Sequence, residues 1–157
     1  NLAISVNNHA AFLAEAGRRA EALDTSSEAV QLRRELVDLN RDAYLPNLAI
    51  SVNNHAAFLA EAGRRAEALN TSSEAVQLYR ELVDLNRDAH LPDLARSLWA
   101  VGRIALILED RELALSAIQA VTEAVHIYAE LATAEPDPFT PLRDAAAETL
   151  DRLSTEQ

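Results

Sequence analysis

The chain contains no cysteine, no methionine and no lysine. Without cysteine there are no disulfides, no thiolate nucleophile and no thiolate metal ligand. All 14 basic residues are arginine, against 25 acidic ones, for a net charge of −11. A broad phosphate-binding surface is excluded on that balance, since nucleic-acid affinity comes largely from Lys and Arg neutralising phosphates. Only three glycines occur, all isolated, so no Gly-rich phosphate loop can form. No run of about 18 apolar residues is present, and no charged-then-apolar leader opens the chain, so a soluble, cytoplasmic protein is expected. The Arg-only basic set, with abundant Ala, Leu, Glu and Asp, reads as genome background. A chain of 157 residues with 49% hydrophobic content is large enough to bury one core of ordinary size.

What is present is a repeat. The segment opening at Asn1 restarts at Asn47, a period of 46, with only three differences: Asp24 against Asn70, Arg33 against Tyr79, and Tyr44 against His90. A diverged third copy opens at Asp93 and runs to Pro141. Its later part is displaced by three residues, placed near the turn between its helices, because Glu74-Ala75-Val76 pairs with Glu123-Ala124-Val125. Leu142 to Leu153 resembles the first helix of a fourth, shortened copy. The expected organisation is a single repeat domain: 1–46, 47–92, 93–141, and a capping helix with tail over 142–157.

Within a copy the apolar spacing is helical. Leu48, Val52, Ala56 and Leu59 mark one stripe, and Leu69, Val76, Leu78, Leu82, Val83 and Leu85 a second. Pro46, Pro92 and Pro141 suit a first helical turn, where a missing N–H costs nothing. Gly17 and Gly63 fall between the stripes, where a helix would end in a left-handed residue. Each copy is therefore read as a helical hairpin, with a first helix over about Pro46 to Ala62 and a second over about Arg64 to Leu85. Thr71-Ser72-Ser73-Glu74 has the form of a capping box. The third copy has nothing turn-like at that place, so the second helix is expected to run through. Stacking hairpins buries what one alone leaves exposed, and the expected fold is all-α: an α-solenoid of antiparallel hairpins.

These residues resemble the tetratricopeptide repeat, specifically its longer kinesin-light-chain-like variants. Val52, Ala56, Leu59, Gly63, Ala68 and Ala75 match the family's small and large positions in the second copy. Leu98, Gly102, Ala105, Ala117 and Ala124 do so in the third. His90 through Leu98 is close to the opening of the longer repeats. His9 and His55 depart from the usual Leu, and Ser26 and Ser72 from a large apolar residue. The added length over the family's roughly 34-residue unit is expected in the second helix and its exit loop. The resemblance implies a right-handed superhelix whose first helices line a concave groove that binds peptide segments of other proteins.

On that resemblance Asn8 and Asn54 match a groove asparagine that hydrogen-bonds peptide backbone, with Asn7 and Asn53 beside them. Asn is a poor helix former, so a repeated pair inside a helix points to use of the amides. In the third copy Ala100 replaces the asparagine, but Arg96 and Arg103 stand seven apart on nearly one face, and Arg96 matches a carboxylate-holding cation of some family members. Trp99, the only tryptophan, lies in the same turn as a candidate anchor. Against this, Trp99 could pack into the array and the arginines pair with acids such as Asp93.

The inventory for catalysis is thin. His9 and His55 are expected on the buried side of the first helix, each using one ring nitrogen in a hydrogen bond. No His-x-x-x-His or Cys pair accompanies them, so no metal site and no cofactor is expected. The carboxylates interleave with Arg as on solvated faces. Net charge is −2 for residues 1–46, −2 for 47–92 and −7 for 93–157, so the last segment would attract a basic partner or serve as a solubility cap. The expected function is a non-enzymatic scaffold binding a protein or peptide partner in the groove, without nucleic acid or membrane. Two alternatives remain. The first copy has no polar cap and could leave an apolar face, including Leu2 and Val6, for head-to-tail stacking into a homo-oligomer. The chain could also be a fragment of a longer array, the sensing arm of a signalling protein.

Overall fold

The computed structural model describes residues 2–109 and 111–155, apart from the side chains of residues 2–4 and 111. The described residues form seven α-helices and no strand: α1 (Leu2–Glu15), α2 (Arg19–Leu39), α3 (Arg41–Glu61), α4 (Arg65–Leu85), α5 (Arg87–Leu108), α6 (Arg111–Ala134) and α7 (Pro136–Thr155). The chain divides into two compact units, residues 1–78 and 79–157, so that α4 contributes to both where a single domain was expected. In the first unit α1 packs on α2 and α2 on α3; in the second α5 packs on α6 and both on α7.

Each first helix starts earlier than the prolines suggested. Asn40 and Asn86 take extended backbone, and their side chains accept from the N–H of Ala43 and Ala89 at 3.2 Å, opening α3 and α5 at Arg41 and Arg87. Pro46, Pro92 and Pro141 consequently stand inside their helices, in the second turn. The start at Pro46 is thus corrected: the asparagine cap, not the proline, begins the hairpin. The added three residues of the third copy lengthen α6, which has 24 residues against 21 in α4, while the preceding turn gains none. α2 and α4 run unbroken through their Thr-Ser-Ser-Glu segments. There the Ser26 and Ser72 hydroxyls donate back to the Leu23 and Leu69 carbonyls, at 2.8 and 3.0 Å.

Small residues set the packing distance. Ala22, Ala29, Ala68, Ala75, Ala117 and Ala124 on the second helices, and Ala10 and Ala56 on the first, are wholly buried. In the first unit Ala75 lies in one cluster with Val30, Val37, Leu48 and Val52, flanked by Tyr44 and Leu78. At the position of Ala10 and Ala56 the third copy has Gly102, and there a Cβ would stand 2.3 Å from Val121 Cγ2. Ion pairs lie on the surface at matching repeat positions, Arg34 to Glu74 at 2.9 Å and Arg80 to Glu123 at 2.7 Å, and Glu123 raises the pKa of Arg80. Exposed pairs of this kind are worth at most about 1 kcal/mol.

α1 carries the sequence of the later part of α3 but not its burial. Ser51 and Val52 are buried and Phe58 is half-buried, whereas Ser5 is exposed and Phe12 is 62% exposed. Of the two residues expected on an open face at this end, Val6 is half-buried and the Leu2 side chain lies outside the described residues.

Two substitutions test this packing. Gly102→Ala is expected to cost about 1–3 kcal/mol by overpacking, and Val121→Ala in the same chain to recover part of it, both read by urea unfolding. At the helix ends, Gly17 and Gly63 take φ of 75° and 72°, but Glu109 holds the equivalent left-handed place at 50°. Glu109→Gly should therefore stabilise by roughly 1 kcal/mol, seen as a higher unfolding midpoint.

Candidate functional site

The second unit brings the third copy's candidates together on α5. The Trp99 indole is half-buried, and its Nε1 donates to Thr149 Oγ1 of α7 at 2.8 Å. The Tyr128 ring meets it edge to face, centroids 6.5 Å apart. The Arg103 guanidinium lies over the indole, 5.2 Å from the ring centroid, a cation–π geometry. Arg96 is exposed and bonds Asp93 Oδ1 at 3.2 Å, three residues away on the same helix. Two exposed arginines thus flank a half-buried indole fixed from behind by a hydroxyl and a ring. Burial raises the Tyr79 pKa well above the phenolic range, with Asp93 adding to the rise and Arg96 opposing it, and burial also raises that of Tyr128, opposed by Arg96 and Arg103.

In the first unit the asparagines separate. Asn8 is exposed on α1, while Asn53 and Asn54 are half-buried on α3. Asn7 is half-buried, and its Oδ1 is sealed from solvent without a hydrogen-bond partner. The four amides stand on two helices, Asn7 and Asn8 on α1, Asn53 and Asn54 on α3.

The two histidines, expected alike, differ. His9 is exposed and stacks on Phe12, ring centroids 6.5 Å apart, so its expected burial is corrected: no second helix precedes α1 among the described residues to cover it. His55 is half-buried, its Nδ1 2.7 Å from Ser26 Oγ. The single hydroxyl proton of Ser26 goes to the Leu23 carbonyl, so the bond is assigned with Nδ1–H donating to Oγ. Burial first, then Arg64 and Arg34, lowers the His55 pKa, with Glu67 opposing. The ring lines a cleft of about 210 Å³ with Ser27, Val30, Gln31, Arg34 and Thr71. Among the described residues no group of three or more His, Asp or Glu could hold a metal ion. No helix there is long and apolar enough to cross a membrane.

One residue of this region escaped the sequence reading. Arg33 is only 3% exposed, and its Nε and Nη1 are buried without partners. Burial alone accounts for the lowering of its pKa. The signal was available: Arg33 against Tyr79 is one of three differences between two otherwise identical copies. No family model matches the chain, and neither a curated protein nor a solved structure does.

Because the fold favours neutral His55, the unfolded chain binds the extra proton between the two pKa values. The stability linked to His55 is therefore complete above about pH 6.5 and is lost as pH falls through the lower folded value. Between pH 7.5 and 5.5, His55→Leu should flatten the fall in unfolding free energy, by at most about 1.4 kcal/mol per pH unit for one proton. Parallel curves for the native chain and the variant would refute this.

Proposed function

We propose that the chain is a tetratricopeptide-type α-solenoid, a non-enzymatic scaffold whose first helices bind an extended, acidic peptide segment of a partner protein. The observation that carries this reading is the α5 surface, where Arg96 and Arg103 stand exposed around Trp99. Guanidinium groups offer charge-assisted hydrogen bonds to carboxylates, and the indole edge offers apolar contact. Arg96 already has Asp93 as a weak, exposed partner, which an incoming carboxylate can replace at little cost. In the other unit the half-buried amides of Asn53 and Asn54 offer donors and acceptors suited to peptide backbone, which reads no sequence.

A second reading is supported by Phe12, exposed beside His9 on α1: association of copies through that face.

Trp99 supplies the test, since the chain's fluorescence from tryptophan reports this place alone. Titration with a ten-residue alternating Ala-Glu peptide should change the emission of the native chain. Arg96→Ala with Arg103→Ala should weaken binding about tenfold, roughly 1.4 kcal/mol, with helical circular dichroism unchanged. Equal affinity in the double variant would end the proposal.

A further inference from the structure

We propose that Arg33, on the second helix α2 of the amino-terminal unit, is a carboxylate seat completed only when an acidic peptide segment reaches it. The inference rests on the peptide-binding reading and deepens it by naming a residue outside the sites considered above.

The position is defined by the repeat. Counting 46 between copies and 49 for the lengthened second helix, Arg33 matches Tyr79 and Tyr128, Asn7 matches Asn53 and Trp99, and Asn54 matches Thr149. In the second unit those positions converge: Tyr128 meets Trp99 edge to face, and Trp99 donates to Thr149. The ring and hydroxyl that close this corner are absent from the first unit. Arg33, Asn7 and Asn54 occupy the corresponding places, and the polar groups are not matched to one another. Arg33 has two buried nitrogens without acceptors, and Asn7 has a buried oxygen without a donor.

A buried guanidinium does not escape its charge by titrating, because its pKa is too high. Left unpaired, its two buried nitrogens carry a desolvation penalty, and so does the orphan amide oxygen. The guanidinium charge calls for an anionic acceptor, which a peptide bearing a carboxylate supplies. Buried, uncharged tyrosines stand at the matching places, which makes Arg33 the exception in two copies otherwise nearly identical.

The test uses the whole chain and two probes, the ten-residue Ala-Glu peptide and its Gln-for-Glu counterpart, with sodium phosphate at matched ionic strength as a third arm. Arg33→Tyr repeats the residue of the second copy, and Arg33→Met keeps the length without the charge. Both are expected to raise the apo unfolding temperature. Affinity for the Glu peptide should fall tenfold or more in both, the Gln peptide should bind native and variant chains alike, and the Arg33 Nε–H resonance should move on adding the Glu peptide. Glu-peptide affinity unchanged in both variants would overturn the inference. So would an Arg33 resonance that moves with phosphate but not with peptide, which would mark a small-anion pocket. Binding that depends on Arg96 and Arg103 but not on Arg33 would remove this seat alone, while no peptide binding by the native chain would remove the scaffold reading with it.

Discussion

The spacing between helices is set by small side chains, and the rest of the structure depends on it. Alanines recurring on the second helices, and Ala10 and Ala56 on the first, are wholly excluded from solvent. A residue with only a Cβ lets neighbouring backbones approach, so that Leu48, Val52 and Val30 can interdigitate around them at interior density. Gly102 takes this to its limit, because even a methyl group would collide with Val121. The larger third-copy residues around it are accommodated by giving up that Cβ.

That close packing makes polar exceptions informative. Ser26 and His55 enter a half-buried contact with their protons fully assigned, and burial then holds the imidazole neutral. At the matching places of the second unit stand Val121 and Leu150, which make no such demand. Ser51 and Ser97, equivalent in two copies, bury hydroxyls without partners, and Arg33 buries two guanidinium nitrogens. Orphan hydroxyls are small costs; an orphan cation is large, so it is the one that calls for a partner from outside.

The helical hairpins were legible because period and punctuation agree. The first apolar stripe, the two left-handed glycines and the unbroken second helices appear where the spacing placed them, whereas Leu85 of the second stripe is 64% exposed. The helix starts were not, although Asn40 and Asn86 were there to be read: prolines six residues on drew attention from the asparagine caps. A helix can carry a proline in its second turn at the cost of one backbone bond, so proline marks a start less strictly than a side chain that fills an open N–H. The left-handed Glu109 was equally hidden, since its strain comes from keeping the turn where a glycine is missing.

For the candidate site, residue types and helical register could be read from the chain, and they put Arg96, Trp99 and Arg103 on one stretch of α5. Which way each was used depended on neighbours distant in sequence. Thr149, 50 residues away, takes the indole proton and fixes the ring under Arg103. His9 and His55 have the same local sequence, yet one is exposed and the other bonded, because α2 packs against α3 and brings Ser26 to His55. Local sequence alone determines periodicity, caps and turns, since these are interactions within a few residues. Burial, proton assignment and the unmet demand of Arg33 are decided by packing between helices, where identical sequences meet different surroundings.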